Sequence, residues 1–434
     1  MHGKADDTGG AQQVQDALVD MLASIMRPLV TLPRWKFLHE AVGGILRRRT
    51  LVLRDIARAL GETGKAPGTV EKRLGAHVND PTLADTINKG MLHHAEPRVQ
   101  VYTPIGIDLT DTQRRHAKKT PGVEGNYDGS TGLPGRGYTH ICAAAVFPAD
   151  TTIEFLPLYQ ETYSLEHTTA KHKDNPLLVD SSFAHYECAV RTLSEVLGGP
   201  VGIDVMDRGM DSQRCFGCEL HHRRWFLVRL CARRRKMRIP GLPVPVYPAE
   251  ALPLMTDWRA VRCRVFNKRS RSWRMKKCQI AWCAMIVAVQ YPNGVTEDRL
   301  LTFIAVKRGS HVMFLLTNLT IDDAQDPVAF AKMLYESYLA RWSVETCFDL
   351  MKNRIHVETI FARTMEAAKN LFALAWLAVA CVMQAFTPGT KITETVVSFF
   401  AQFHRFRPLC HVFYTVFTSL TRIWAFMPVT CSRH

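Results

Sequence analysis

Four polar side chains of different chemistry lie close together near residue 345 of the sequence. They are Tyr338, Arg341, Glu345 and Lys352. A helix turns by about 100° per residue, so all four would fall within an arc of about 60° on one helical face. A phenol and two cations can bind phosphate oxygens and a carboxylate can bind a divalent metal, so the face suits phosphodiester chemistry. The alternative is a solvated face with ion pairs, since Arg341 and Glu345 are four residues apart.

Two acids at predicted strand ends could join this stripe. A strand is expected over residues 101–109, with Asp108 near its end, and another over residues 201–207, with Asp207 at its end. Strand alternation puts Asp207 at the end of the row formed by Val201, Ile203 and Val205. Three other acids compete for the same roles, and Asp349 is the strongest because it lies on the same helical stripe as Glu345. These competing acids are Asp111, Asp204 and Asp349.

The spacing Y-x2-R-x3-E-x6-K is similar to the signature of bacterial DDE-type insertion-sequence transposases of the insertion-sequence-four family. The chain matches it at all four positions, and Asp207 is followed by Arg-Gly, as is common in that family. Asp108, Asp207 and Glu345 resemble the three acids of the family. The resemblance covers about residues 102–360, including a β-strand insertion before the glutamate.

This resemblance implies a ribonuclease-H-like catalytic domain of the α/β class, in which Asp108, Asp207 and Glu345 are both the catalytic acids and the metal ligands. Two Mg²⁺ ions are expected, with Mn²⁺ as a substitute, because hard cations prefer oxygen ligands. The resemblance also assigns contacts with DNA phosphates to Tyr338, Arg341 and Lys352. Trp342 occupies the place of a family tryptophan that holds a flipped base, although an ordinary core tryptophan is an equal alternative.

The function implied is a cut-and-paste DNA transposase. Its expected partners are double-stranded DNA, both the inverted-repeat ends of its element and the target, and a second copy of the chain in the DNA complex. No small-molecule substrate is expected. Two alternatives stay open: a nuclease of the same fold without strand transfer, and a catalytically silent DNA-binding regulator.

The chain carries 55 Lys and Arg residues against 40 Asp and Glu residues, a net charge of +15. Between His221 and Lys277 there are 17 basic and two acidic residues, so this segment holds the whole excess. Such density favours a polyanionic partner, above all nucleic acid, over the alternatives of a solvated face or a lipid surface. Arg233, Arg234 and Arg235 are expected to bind DNA phosphates. Two tryptophans in or beside this segment, Trp258 and Trp273, could stack on DNA or pack within strands.

The first 97 residues show helical spacing of apolar side chains. Two short helices, over residues 51–60 and 69–78, flank a stretch with glycine and proline and fit a helix-turn-helix that would offer Lys72 and Arg73 to DNA. Any small helical bundle gives a similar pattern.

A length of 434 residues predicts two or three folded units. We expect a helical DNA-binding domain (1–97), a catalytic domain (98–363) with a β-rich insertion at about 230–320, and a C-terminal helical region (364–434) for packing or dimerisation. In the catalytic domain we expect a hairpin (138–147 and 152–158), a helix over 176–197, strands at 225–230, 258–266, 272–290 and 300–307, and a helix from Asp326 past Lys352.

Several other classes are disfavoured. The polar residues 1–10 predict no signal peptide, and the longest apolar run, residues 371–383, is shorter than a membrane span of about 20 residues. The twelve cysteines show no disulfide framework, and Cys215 and Cys218 with His221 and His222 form only half of a zinc pattern. We therefore expect no membrane partner and a bacterial cytoplasmic protein associated with the nucleoid when bound to DNA.

Overall fold

The computed structural model describes residues 4–61, 66–114, 117, 120–128, 132–148, 153–165, 182–267, 272–386 and 393–394. The N-terminal part is helical, as predicted. Its helices are α1 (Lys4–Met26), α2 (Leu32–Arg48), α3 (Leu53–Leu60), α4 (Pro67–Val78) and α5 (Leu83–Ala95). Short 3-10 turns follow α1 at Arg27–Leu29 and α5 at Glu96–Arg98.

Helices α3 and α4 are the two helices of the predicted helix-turn-helix. Gly61 ends α3 with φ 58°, a left-handed conformation that glycine adopts without strain. Residues 62–65 lie outside the described residues. The two helices pack on each other, and each contributes buried side chains to the same apolar core, among them Ile56 and Leu74. The helix pair is confirmed, and its contact with DNA stays a prediction.

Ten strands within the described residues form one large mixed sheet. They are β1 (Pro104–Gln113), β2 (Glu124–Asp128), β3 (Leu133–Pro148), β4 (Ile153–Tyr163), β5 (Ile203–Met206), β6 (Trp225–Arg229), β7 (Arg259–Asn267), β8 (Ser272–Gln290), β9 (Thr296–Arg308) and β10 (His311–Thr317). Their order is β2-β3-β1-β5-β6-β10-β9-β8-β7, and β4 pairs with β3 outside this path. The fold is thus mixed α/β with a large central sheet.

Strand β1 lies where the antiparallel and parallel parts of the sheet meet. It pairs antiparallel with β3, which in turn pairs antiparallel with β4. On its other side β1 pairs parallel with β5, and β5 pairs parallel with β6. Helix α6 (Ser182–Leu197) connects the two parts, although its predicted start at residue 176 lies outside the described residues. The predicted order of a meander, a helix and a further strand is confirmed.

The predicted end of β1 near Asp108 is wrong, because the strand continues to Gln113. The long partner β3 keeps this polar continuation extended, with Asp108 opposite Cys142 and Gln113 opposite Gly137. Strand β5 is shorter than predicted and ends at Met206, so Asp207 follows it directly.

Two strands, β2 and β10, were not predicted from the sequence. β10 follows β9 after the two-residue turn Gly309-Ser310, with Arg308 paired to His311 and Gly309 at φ 60°. A glycine turn followed by the apolar run Val312–Leu316 was the available signal for this hairpin. β2 is short and has no apolar alternation, so its sequence carries no comparable signal.

The predicted β-rich insertion is confirmed as strands but continues the central sheet. Strands β7, β8 and β9 pair in succession, and β10 joins them to β6 through the pair Leu315 and Arg229. The basic segment therefore lies partly on the same sheet as the predicted catalytic acids.

The remaining helices are α7 (Gln213–His221), α8 (Pro248–Ala251), α9 (Pro327–Ala340), α10 (Ser343–Leu350) and α11 (Met365–Ala385). The predicted start at Asp326 is confirmed, since its side chain caps α9 by accepting from the amide of Ala329. The single helix predicted to run past Lys352 is wrong. The backbone amides of Val344 and Glu345 donate to the carbonyls three residues earlier, which forms a tight turn at Arg341-Trp342 between α9 and α10. Further along, α10 passes into a π-helix at Met351–Ile355.

Helix α11 is the one helix in the described part of the chain that is long and apolar enough to cross a membrane. However, 89% of its apolar window is buried inside the fold, as in a core helix. The part of the predicted C-terminal region that is described therefore serves packing within the chain. Most of the region beyond Phe386 lies outside the described residues.

One apolar core joins the two ends of the described chain. Side chains of α1 to α5 and of α11 belong to the same buried cluster, together with residues of β3, β4 and α10. The fully buried Asn370 strengthens this join by donating to the carbonyls of Val78 and Asp80 and accepting from the amide of Ala84. The boundaries predicted at residues 97 and 364 coincide with changes of secondary structure, while the apolar core crosses both.

Candidate active site

The guanidinium group of Arg341 lies among the three predicted catalytic acids. Its Nη1 donates to Asp108 Oδ2 at 2.6 Å, and its Nη2 lies 3.5 Å from Glu345 Oε1 and 4.0 Å from Asp207 Oδ2. Tyr338 Oη donates to Asp207 Oδ1 at 3.0 Å. We call these five residues the Arg341 cluster. Three carboxylates from distant parts of the sequence are thus brought to one cation.

The register of the parallel strands places two of these acids side by side. Ile107 of β1 is paired with Met206 of β5, so the next residues, Asp108 and Asp207, continue the same register. Asp108 is held within β1, whereas Asp207 starts the turn Arg208–Met210 and is less constrained. The third acid, Glu345, comes from the first turn of α10.

A glycine in β1 allows the helical segment to approach the strand. A Cβ atom on Gly106 would lie 2.4 Å from Val344 Cγ2 and 3.4 Å from Arg341 Cγ, and the first distance is too short for a real contact. Only a residue without a side chain fits there. This close approach places Arg341 beside Asp108, two residues further along β1.

The Arg341 cluster is buried on one side and open on the other. The side chain of Arg341 is 8% exposed and that of Asp108 23%, whereas Asp207 and Glu345 are 38% and 41% exposed. Among the described residues, the three acids are therefore most accessible to a ligand on the side of Asp207 and Glu345.

The two aspartates respond differently to their surroundings. Burial raises the pKa of Asp108 above its ordinary value, although the charge of Arg341 opposes the shift. Burial also raises the pKa of Asp207, but the backbone amide of Arg208, the charge of Arg341 and the Tyr338 hydroxyl together bring that pKa below its ordinary value. Asp207 is thus the more firmly ionised of the two.

Carboxylate oxygens are suitable ligands for Mg²⁺, and the cluster supplies them from three elements. Yet within the described residues no three His, Cys, Asp or Glu side chains are close enough together to hold a metal ion. The shared partner of the three acids is instead the Arg341 guanidinium. The donor chemistry fits a divalent cation, and the present spacing fits an ion-pair cluster, so the predicted metal site stays a prediction.

The residues assigned to DNA phosphates are not all positioned alike. Tyr338 and Arg341 are buried and directed at carboxylates. Lys352 lies in the π-helix, where its Nζ is 3.9 Å from Asp111 Oδ2, an acid outside the Arg341 cluster. Trp342 is half-buried at the tight turn between α9 and α10. The four residues of the predicted helical face therefore lie on successive segments of different helix type and have different acidic partners.

The competing acids have other partners. Asp204 is fully buried and forms a two-point ion pair with Arg224, at 2.6 and 2.9 Å. Asp111 is near Lys352 and accepts from Gln113. Asp349 accepts a hydrogen bond from Asn353. None of the three has an ion pair with Arg341 in the described structure.

Arg229 is a neighbour of the site that was not predicted from the sequence. It ends β6, and the pair Met206 and Val228 puts it beside Asp207 on the adjacent parallel strand. Its positive charge contributes to lowering the pKa of Asp207. The same charge opposes the rise in the pKa of Tyr338 that burial causes. The signal was its place at the end of a predicted strand next to the strand of Asp207.

The basic segment is less exposed than its composition suggested. Arg224 is buried against Asp204, and Arg235 forms a 2.6 Å ion pair with the fully buried Asp211. Arg233 and Arg234 are exposed. Arg235 therefore differs from Arg233 and Arg234 because it compensates a buried carboxylate, and contact of the three arginines with DNA phosphates stays a prediction.

The remaining predicted DNA contacts also differ in exposure. Lys72 of α4 is exposed, whereas Arg73 forms a 2.6 Å ion pair with Glu40 of α2. Trp258 donates to the carbonyl of Met255 and lies under Lys307, so it packs within the fold. The side chain of Trp273 lies outside the described residues.

No family model matches this chain, and no curated protein matches it either. Among solved structures, the piggyBac transposase synaptic complex with hairpin DNA, determined by cryo-EM, matches with a TM-score of 0.34 and 10% identity. The match covers 91% of this chain and 74% of that chain. A TM-score this low supports no conclusion about function, which must rest on the residues of the site.

Proposed function

We propose that this protein is a DNA transposase of the DDE type, with a ribonuclease-H-like catalytic domain that cuts and joins DNA strands. The observation that carries the proposal is the convergence of Asp108, Asp207 and Glu345 on one guanidinium group. These are the acids that the family resemblance selects, and they come from β1, from the end of β5 and from α10. The meander, helix and parallel strand around them also agree with that fold.

Asp108, Asp207 and Glu345 are proposed to hold two Mg²⁺ ions, with Mn²⁺ as a substitute. When bound, the metal supplies Lewis-acid activation of the attacking water or 3′-hydroxyl and stabilises the leaving oxygen. Since Arg341 neutralises the same carboxylates, metal binding must compete with its ion pairs. No covalent enzyme intermediate is required for this chemistry.

The other residues of the site are proposed to orient the acids and the DNA. Tyr338 holds the carboxylate of Asp207 through its hydroxyl, and Arg341 holds Asp108. An Arg341 side chain released from these acids could bind a phosphate oxygen, in line with the role that the resemblance assigns. Double-stranded DNA, from element ends and target, and a second copy of the chain are the proposed partners, in a bacterial cytoplasm.

The deciding experiment uses the purified full-length protein and a DNA fragment that carries its own element's ends, with Mg²⁺ or Ca²⁺. We expect Mg²⁺-dependent nicks at the element boundary, and their loss in Asp108→Asn. A gel-shift assay is the control for retained DNA binding by that variant. Absence of nicks in the wild-type protein would contradict the proposal.

The same assay distinguishes the alternative functions. A pre-cut end that never joins target DNA in Mg²⁺ would identify a nuclease without strand transfer. Binding to the ends without any cleavage would identify a regulator of transposition.

A further inference from the structure

A cleft of about 340 Å³ lies between the start of α7, the loop after β6 and the end of β8. Its wall contains three arginines, one acid and three uncharged polar side chains. These are Arg214, Arg234, Arg235, Asp211, Ser212, Gln213 and Gln290. We call it the arginine cleft. Nothing in the chemistry of the Arg341 cluster uses these residues.

Arg235 is held rigidly in the wall of the arginine cleft. Its Nε donates to Asp211 Oδ1 at 2.6 Å and its Nη2 donates to the backbone oxygen of Asp211 at 2.8 Å. The guanidinium lies 4.7 Å from the ring centre of Phe216, and Asp211 also accepts from the amide of Cys231. Because Asp211 is fully buried, this pair forms a fixed base for the cleft.

Arg214 and Arg234 provide the exposed charge of the cleft. Arg214 donates to Gln290 Oε1 at 3.3 Å and lies over the ring of Phe183, and Arg234 donates to the carbonyl of Arg208 at 3.4 Å. Within the described part of the chain, neither forms an ion pair with an acid. Three guanidinium groups and one carboxylate leave the cleft with a formal charge of +2.

This combination suits a phosphodiester group. Guanidinium groups bind phosphate oxygens in pairs, and amide and hydroxyl side chains can satisfy the remaining acceptors. The cleft follows Asp207 in sequence after the single turn Arg208–Met210, so DNA bound there would pass close to the Arg341 cluster.

We propose that the arginine cleft binds one non-reacting backbone phosphate of duplex DNA, held by Arg214 and Arg234. This inference rests on the proposed function, because it assigns DNA as the ligand. It adds Arg214 to the DNA-binding surface and assigns Arg235 to supporting the cleft. A small anion, such as inorganic phosphate or a free nucleotide, is the competing ligand.

The test measures binding of a labelled DNA duplex of arbitrary sequence by fluorescence anisotropy, across a range of salt concentrations and without divalent metal. An arbitrary sequence is adequate because phosphate contacts carry no sequence information. The variant is the double substitution Arg214→Gln with Arg234→Gln. The control is Arg191→Gln, which removes one charge that is also exposed, from α6 outside the cleft.

We expect the double variant to bind the duplex about tenfold more weakly, the loss expected for charge-assisted hydrogen bonds. Its slope of log affinity against log salt should be shallower by about 1, the value for one lost phosphate contact. The Arg191→Gln control should match the wild type. Equal slopes in the double variant and the wild type would overturn the inference.

A competition arm distinguishes the two ligand sources. If inorganic phosphate binds the wild type but not the double variant, while duplex affinity is the same in both, the cleft is a small-anion site and the inference is wrong. Failure of the proposed function has a different signature. In that case the wild-type duplex affinity and the effect of the double variant persist, but no cleavage occurs at element ends in Mg²⁺. A wild type that binds no duplex would overturn both.

Discussion

Asp108 and Arg341 are 233 residues apart in sequence, and their side chains form a 2.6 Å ion pair. The pair joins the middle of strand β1 to the tight turn between α9 and α10. Because Arg341 also reaches Asp207 and Glu345, one guanidinium group partly offsets the repulsion among three carboxylates. The geometry of the proposed active site therefore depends on a residue that is not itself an acid.

Replacement of Arg341 by alanine should weaken the fold. Asp108 would lose its partner in a largely buried place, and we expect a loss of roughly 2–3 kcal/mol in the free energy of unfolding, below the range for fully buried pairs. Chemical denaturation measures this change. Ca²⁺ should then stabilise Arg341→Ala more than the wild type, because a divalent cation can replace the missing positive charge. Equal stabilisation of both proteins by Ca²⁺ would contradict the proposed competition between Arg341 and metal for the three acids.

Replacement of Gly106 by alanine should displace the helical segment from β1. The new Cβ would meet Val344 at 2.4 Å, so we expect a stability loss of about 1–3 kcal/mol and a strong loss of DNA cleavage as Arg341 moves from Asp108. Adding Val344→Ala to Gly106→Ala should restore much of the lost stability and much of the lost DNA cleavage. Gly43→Ala is the matched control, since its Cβ has no neighbour within 4 Å and should stabilise α2 by up to about 1 kcal/mol. No rescue by Val344→Ala would argue against this steric account.

The two acids of α10 should differ in their effect on cleavage. Glu345→Gln should abolish strand cleavage, because Glu345 contacts Arg341 and belongs to the three converging acids. Asp349→Asn should leave cleavage largely intact, because Asp349 contacts Asn353 instead. Mapping nicks on element ends in Mg²⁺ checks both variants. The reverse result would assign the third acid to Asp349.

A buried glutamate that is not a member of the Arg341 cluster gives a pH dependence of stability. Glu219 is fully buried, accepts from the Tyr186 hydroxyl and lies near Asp204. Burial, with the charge of Asp204, raises the pKa of Glu219 well above its ordinary value, so the folded protein keeps this proton when the unfolded chain has released it.

Glu219 therefore makes the folded state less stable as pH rises above the unfolded pKa. Glu219→Gln should remove this dependence, so its stability relative to the wild type should increase by about 1.4 kcal/mol per pH unit from about pH 4.3 up to the folded pKa. Denaturation curves at several pH values measure the difference. A constant difference across that range would mean that Glu219 is ionised in the folded protein.

Local pattern was sufficient for much of the fold. The spacing of apolar residues predicted the N-terminal helices, the hairpin of β3 and β4, and the buried helix α11. It also brought Tyr338, Arg341 and Glu345 together as one group, since residues three and four apart share a helical face. The choice of Asp108, Asp207 and Glu345 came from a motif, and the chain does bring these three acids together.

What the sequence determined by itself was which residues share a face of one element, because strand and helix periods depend only on local geometry. Only the tertiary structure decided which face meets which. It extended β1 past Asp108 along β3, used the missing side chain of Gly106 to bring Arg341 onto that strand, and turned Arg235 inward to Asp211. Each of these outcomes depends on contacts between residues distant in sequence, where close packing and the cost of an unpaired buried charge select the partner.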